Sequence, residues 1–258
     1  MSRPFLAAAA LAALAACAGV ETPPPAPVRF LLTFDDGPAP STARVLQTLA
    51  ANPVQPGIKA VFFVQTQAPE AGGSEAGRAL MSRSQAEGHV LAVHTGTPYG
   101  HVSHLAHPRE ELARSLAQAK ADIAAIAGAP PRLVRPPYWS YDVGTLEAYQ
   151  HAGLAMLLTD LNARDGAVYG VNLVPAKRTL LRFQLERMKQ QLSVVDGVAP
   201  IVVTFHDVNQ STASELADYL RFLVEDARAL GLRLAEPPFY ERREDLERAA
   251  VLRAFPYP

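Results

Sequence analysis

Cysteine is all but missing from this 258-residue chain; Cys17 is the only one, so no internal disulfide can form. A dominant charge is missing too. Formal net charge is −1 and no run of Lys or Arg stands out, which leaves no electrostatic footprint for nucleic acid or a polyanionic surface. Long apolar runs are also scarce. The most continuous, Phe5 to Val20, is alanine-rich and short of the roughly 20 residues a membrane span requires. What is there is ordinary for a globular protein: 49% apolar and 19% charged residues, enough to bury a sizeable core in one large α/β domain or two small ones.

The apolar N-terminal run follows a thin positive start at Arg3 and reads as an export segment. It ends in "LAAC", which resembles a bacterial lipoprotein signal whose cysteine becomes the acylated first residue. An ordinary secretory signal with a chance cysteine is the alternative. A lone Cys17 in an exported chain favours the former, so residues 1–17 are expected to be a signal with lipidation at Cys17. That makes the protein an exported, periplasm-facing lipoprotein of a bacterial envelope, or a secreted protein if Cys17 is not acylated. Next comes "ETPPPAP", Glu21 to Pro27, too proline-dense for a helix or central strand and therefore a stiff spacer within a linker of residues 18–27. The folded domain is expected over residues 28–258.

From Val28 onward short apolar runs alternate with helical patterns. "VRFLLTF", "IKAVFFV", "HVLAV", "LAMLLTD", "PIVVTFHD" and the weaker "GLRLAE" read as strands, and near-continuous apolar strands suit a parallel sheet covered on both faces. The clearest helix runs from about Pro108 to Ala127. Proline opens it, Glu110 and Glu111 fill its first turn, Gly128 stops it, and Leu112, Leu116, Ala119, Ile123 and Ile126 share one face. Arg182 to Leu192 and Ala213 to Leu230 read as further helices, and the charged run "ERREDLER" as a solvated terminal helix. This alternation points to an α/β barrel or a doubly wound sheet.

Polar residues gather where those strands end: Asp35 and Asp36, His94, Arg135, Asp165, and His206 with Asp207. In a parallel barrel the carboxyl ends of the strands share one rim, so these distant positions can meet. Adjacent carboxylates at a strand end point different ways, which lets Asp35 and Asp36 take different partners. Five of the seven histidines lie between His89 and His107, and imidazole with carboxylate suits zinc or a similar divalent ion. Arg135 precedes two prolines on a rigid segment suited to holding a carboxylate. His206 directly after a buried strand suits proton donation, with a nearby carboxylate to orient it.

Taken in order, "TFDDGP", "KAVFFV", "GHVLAVHT", "RPPY", the "RD" of Arg164-Asp165 and "FHD" resemble the polysaccharide deacetylase family, the family 4 carbohydrate esterases that share the NodB homology domain. The resemblance spans about Arg29 to Asp207. It implies a distorted (β/α)7 TIM-like barrel and one divalent metal, most often Zn2+, with Co2+, Ni2+ or Mn2+ as alternatives. Carried over residue by residue, Asp36 and His94 become metal ligands and Asp35 the base for the attacking water. Arg135 steadies Asp35, Tyr138 offers its backbone N–H to the oxyanion, and His206 protonates the departing group with Asp165 tuning it.

Three departures stand out. The family spaces its two ligand histidines as H-x-x-x-H, but position 98 is Pro98, so the second ligand falls to His101 or His104, with His101 favoured. Gly166 stands where the family has tryptophan. Trp139 stands where it has glycine, beside Pro137 in the expected substrate pocket, and is expected to swing its indole into the vacated space. The implied function is removal of N- or O-acetyl groups from an envelope or extracellular polysaccharide, with an N-acetylglucosamine-type glycan foremost. The alternatives are an exported barrel that only binds glycan and a deacylase of a smaller amide or ester. Partners are expected to be the acetylated glycan and, through the lipid anchor, the membrane; nucleic acid is not expected, and a monomer is.

Overall fold

The computed structural model describes residues 25–166 and 174–255. The expected signal with Cys17 and most of the expected linker lie outside the described residues. Eight strands are described: β1 (Val28–Asp35), β2 (Ala60–Gln65), β3 (Val90–Thr95), β4 (Leu133–Val134), β5 (Ala155–Met156), β6 (Leu161–Asn162), β7 (Ala199–His206) and β8 (Leu234–Phe239). Between and after them come α1 (Thr42–Ala50), α2 (Glu75–Ala86), α3 (Arg109–Ala127), α4 (Val143–His151), α5 (Val174–Met188), α6 (Gln210–Ala229) and α7 (Arg243–Arg253). Among the described residues no helix is long and apolar enough to cross a membrane.

The strands pair in parallel in the order β5-β4-β3-β2-β1-β7-β6, and β8 pairs with the start of β1. That is the cyclic order of a barrel left open between β5 and β6, a distorted (β/α)7 barrel. Every residue of β2 and β3 is buried, as expected for strands covered on both faces.

Alternation along the strands sorts side chains between two cores. Phe30, Leu32 and Phe34 of β1 pack outward with helix residues such as Leu46, Leu116 and Leu220. Leu31 points the other way and joins Val61, Phe63, Ala92, Leu133 and Val202 inside the barrel. Moving two residues further along β1, β3, β4 and β7 from Leu31, Ala92, Leu133 and Val202 gives Thr33, His94, Arg135 and Thr204. One more step of two gives Asp35 on β1 and His206 on β7. The polar residues at the rim are therefore the upper end of the same stripe that builds the apolar interior.

The helix expected from Pro108 forms as α3, with Pro108 at its N-cap and Gly128 at its end in a left-handed conformation (φ 75°). Leu112, Leu116, Ala119 and Ile123 are buried. Each large apolar side chain there contributes roughly 1.5–3 kcal/mol by leaving water, so a charge at Leu116 would break the packing of α3 on the sheet. Three expectations are corrected. α5 begins at Val174, earlier than Arg182, and ends at Met188. "LAMLLTD" is split between β5 and the approach to β6, because the chain must cross the barrel's open side. The charged terminal run is not wholly solvated: α7 sends Leu246, Ala249 and Ala250 into the interior cluster and plugs the barrel at the end away from the rim.

Candidate metal and acid–base site

Asp35 ends β1 buried inside the barrel, where its Oδ1 accepts a hydrogen bond from Arg135 Nη1 at 2.8 Å. Arg135 is wholly buried, and each of its three guanidinium nitrogens donates at least one hydrogen bond. Nε donates to the Leu157 carbonyl (2.9 Å), Nη2 to the Leu158 carbonyl (3.1 Å), and Nη1 also to the hydroxyls of Thr33 (2.6 Å) and Thr204 (3.1 Å). The rings of Phe63 and Trp139 lie over the guanidinium at 4.1 and 4.9 Å. A charge so enclosed is tolerable because Asp35 pairs with it and each guanidinium nitrogen finds an acceptor. Trp139 thus covers the Arg135–Asp35 pair, in a left-handed backbone conformation (φ 59°) that a bulky residue rarely adopts. Pro137, before it, is buried.

Immediately after Asp35 the chain turns left-handed at Asp36 (φ 74°), which aims the second carboxylate away from the first and toward β3. Its Oδ1 lies 3.0 Å from His94 Nε2 and 3.1 Å from His101 Nε2. His94 Nδ1 is 2.8 Å from the Arg135 carbonyl, and a proton on Nδ1 donating there leaves the Nε2 lone pair facing Asp36. His101 stacks between His94 (5.1 Å) and the Tyr138 ring (4.3 Å), while Tyr138 Oη donates to the His101 carbonyl at 2.9 Å. Burial lowers the pKa of His101 against the opposing pull of Asp36, so the imidazole favours its neutral form. Burial would raise the Asp36 carboxyl, but the imidazoles of His94, His101 and His206 hold it well below the usual range.

One carboxylate oxygen and two imidazole nitrogens therefore lie within 4.8 Å of one another. Asp36 Oδ1 and His94 Nε2 are buried without a hydrogen-bond partner. Orphaned acceptors of this kind fit a divalent cation, and Asp-His-His is a donor set for zinc or a similar ion. The structure selects His101 over His104 for this cluster. His104 turns away, its Nδ1 2.6 Å from the Tyr149 hydroxyl, and burial pushes its pKa down to about 3. The other histidines of the run serve elsewhere: His89 accepts from the Ala60 N–H and His107 faces Glu111.

Across from the histidines, His206 Nε2 sits 3.9 Å from Asp36 Oδ2. Its Nδ1 is 2.7 Å from Asp165 Oδ1, and Asp165 Oδ2 accepts from the His206 N–H (3.1 Å) and the Thr212 hydroxyl (2.6 Å). Asn209 donates to the Asp165 carbonyl at 2.7 Å. Burial opposes the imidazolium, but the hydrogen bond and charge of Asp165, with Asp35 and Asp36 behind it, prevail and raise the His206 pKa to about 9. Gly166 makes this placement sterically feasible. A Cβ there would come within 2.7 Å of His206 Nε2, so no side chain fits while the ring holds its place. Asp207 turns below the rim, with Thr42 Oγ1 donating to it at 2.5 Å and burial raising its carboxyl to about 7. Its oxygens crowd Gly37, where a Cβ would meet one at 2.2 Å.

All the expected site residues from Asp35 to His206 thus meet at one rim. The supporting residues were not anticipated. Thr33 and Thr204 each stand two positions before a rim residue on the same face, a parity signal that the strand pattern already carried. Thr212 and Asn209 come from the start of α6, where Asn209 also caps the helix. Gln65, whose Nε2 donates to the Asp36 carbonyl at 2.7 Å, has no sequence signal.

The chain matches the polysaccharide deacetylase family over residues 23–157. It is 28% identical over 203 residues to a chitin deacetylase of Colletotrichum lindemuthianum, covering 73% of this chain and 71% of that protein. A peptidoglycan-N-acetylglucosamine deacetylase of Bacillus cereus is 34% identical over 47% of this chain and 43% of its own length. A chitin deacetylase of Pestalotiopsis sp is 29% identical over 54% of this chain. The chain spans about two fifths of the Pestalotiopsis and Bacillus relatives, at 44% and 43% of their lengths. Among solved structures, the chitin deacetylase from C. lindemuthianum superposes with a TM-score of 0.62 at 24% identity, covering 85% of this chain and 91% of that one. A family 4 acetyl xylan esterase from Clostridium thermocellum, solved with a cobalt ion, gives 0.54 at 22% identity over 80% of this chain and 86% of its own. The family match covers more than half the chain and includes Asp35, Asp36, His94, His101 and Arg135 of the rim: this chain belongs to the polysaccharide deacetylase family.

Proposed function

We propose that the protein is a metal-dependent hydrolase that removes acetyl groups from an envelope or extracellular glycan of the N-acetylglucosamine type. One observation carries the reading. An Asp-His-His cluster stands between a buried carboxylate clamped by arginine and an imidazole held by a second carboxylate. Asp36, His94 and His101 would hold the ion, zinc foremost and cobalt, nickel or manganese as substitutes. The ion supplies Lewis acidity to the acyl carbonyl and to the attacking water.

The chain's own groups divide the proton work. Asp35, paired with Arg135 and held in place by it, accepts the proton of the water that adds to the acyl carbon. The backbone N–H of Tyr138 meets the oxygen that gains charge as the carbon becomes tetrahedral. His206 gives its Nε2 proton to the sugar nitrogen as the C–N bond breaks, and acetate and the free amine leave. Asp165 keeps His206 oriented and charged until that moment. Pro137 and Trp139 form a wall of the substrate pocket. Proton transfers of this kind are worth about 10²–10⁴ in rate each. We also place the protein in the envelope as a lipoprotein acylated at Cys17, with residues 18–27 as its tether and a monomeric domain beyond. Mass spectrometry of the mature N-terminus tests that placement.

The experiment is acetate release from N-acetylated chitooligosaccharides by zinc- or cobalt-loaded protein. Release that falls by about 10²-fold or more in Asp35→Asn while metal content holds supports the reading. A metal-loaded protein that frees no acetate from any glycan or acetyl ester overturns it.

A further inference from the structure

Residues 157–160 cross the open side of the barrel, and the Arg135–Asp35 pair leans on them. β5 and β6 have two residues each and stand at the two ends of the strand order. The crossing is tied to β4 where Leu157 N donates to the Val134 carbonyl at 3.0 Å, and to β7 where Asp160 N donates to the Val202 carbonyl at 3.0 Å. Its middle gives the Leu157 and Leu158 carbonyls to Arg135 Nε and Nη2. Thr159 Oγ1 accepts from the Thr204 hydroxyl at 2.9 Å, and Thr204 in turn accepts from Arg135 Nη1. Two of the three guanidinium nitrogens are thus held by a stretch that lies in no strand.

The segment that ends α7 supplies this stretch with a neighbour. Phe255 N donates to the Met156 carbonyl at 2.9 Å in an antiparallel bridge. Arg253 Nη2 donates to both oxygens of Asp160, at 2.8 and 3.1 Å, and Asp160 Oδ2 also accepts from Val202 N at 2.8 Å. The Arg253 and Asp160 side chains are 18% and 11% exposed, so solvent ions screen the pair little. Residues 253 and 255 therefore run alongside 156–160 and hold it at both ends. Arg253 is itself firmly placed. It is the last residue of α7, whose Leu246, Ala249 and Ala250 sit in the interior cluster.

We propose that Arg253, with the Phe255 backbone, is a positioning residue for the base at the opposite end of the fold: it braces the crossing, the crossing holds Arg135, and Arg135 holds Asp35. The inference rests on the hydrolase reading for what Asp35 does, and on the contacts alone for the brace. Nε and Nη2 share one edge of a planar guanidinium, so a shift of the Leu157 and Leu158 carbonyls turns the whole group. Nη1 on the other side carries Asp35 and Thr33 with it. A reacting group needs such outer support to keep its geometry. A misplacement of about 1 Å costs up to about 10²-fold in rate; β4 and β7 still tie the crossing when Arg253 is lost, so about tenfold is expected.

The test uses the full chain loaded with zinc and acetate release from an N-acetylated chitin tetrasaccharide. Arg253→Met is expected to lower kcat about tenfold while KM and metal content stay within about twofold. Asp160→Asn, which keeps an acceptor for Val202 N, should lose a similar factor, and Arg253→Met added to it should cost nothing more. Arg248→Met serves as control and should move neither constant, because that residue of α7 pairs at 2.8 Å with an exposed Asp196. By NMR, exchange of the Arg135 Nε–H with solvent should speed about tenfold in Arg253→Met while the Leu116 amide of α3 keeps its rate. A loss that falls on KM, or losses at Asp160 and Arg253 that multiply, overturn the brace and leave the hydrolase reading standing. So does exchange at Arg135 that stays the same or rises equally at Leu116. Absent turnover in the unmutated protein overturns the hydrolase reading, and the exchange rates still decide the brace.

Discussion

Replacing Arg135 with methionine should cost far more than its loss of contacts suggests. The guanidinium neutralises a carboxylate buried beside it and satisfies the Leu157 and Leu158 carbonyls and two threonine hydroxyls. Methionine fills similar space but leaves Asp35 as an unpaired buried charge, a change that costs about 3–5 kcal/mol. Against a total stability of roughly 5–15 kcal/mol, that is a large share. In a chain of this size it should lower Tm by about 6–20 °C. Asp35→Asn alone leaves the charge on Arg135, with its neutral acceptors in place, and should cost less. The double variant removes both charges, so its loss should fall short of the summed single losses by about 2 kcal/mol. Urea unfolding followed by circular dichroism, in chelator so that metal binding adds nothing, measures all four proteins. Losses that add to within about 0.5 kcal/mol would show that Arg135 and Asp35 are not coupled, and the account of how the base is held would be wrong.

Two further outcomes are expected. His206, raised from the usual 6.5 to about 9, gives the metal-free fold roughly 3 kcal/mol that is fully present below pH 6.5 and lost as pH rises through 9. Urea titrations at pH 6 and pH 10 should show that loss in the unmutated protein and little of it in Asp165→Asn; equal pH dependence in both would remove Asp165 as the cause. His101→Ala should strip metal measured by elemental analysis, whereas His104→Phe should keep it, and the reverse pattern would exchange their roles.

Much of this architecture was legible because it is written in alternation. The period-two stripe that runs through Leu31 and Thr33 to Asp35 is visible in "FLLTFDD", and β7 repeats it from Val202 to His206. α3 announced itself through Pro108, Gly128 and one apolar face. Elements that depend on the closed shape were harder. The split of "LAMLLTD" follows from the opening between β5 and β6, and the burial of one α7 face follows from its plugging of the barrel; neither is a local property. At the site, Asp36 and His94 were expected together from the family resemblance, and their side chains do meet, at 3.0 Å. Choosing between His101 and His104 required knowing that Tyr149 would claim His104. Trp139 was expected to reach toward vacated pocket space; its ring lies over Arg135 at 4.9 Å, a contact the sequence did not signal. Gly166 was expected to alter the substrate pocket, and the structure adds a steric reason for it beneath the His206 ring.

The central claim is that Asp36, His94 and His101 converge to hold one ion beside Asp35 and His206. Crystals of the full chain soaked in zinc or cobalt, measured across the metal's absorption edge, test it most directly. The account predicts a single anomalous peak within bonding distance of Asp36 Oδ1, His94 Nε2 and His101 Nε2. A peak held by other residues, with those three atoms left uncoordinated, would contradict it.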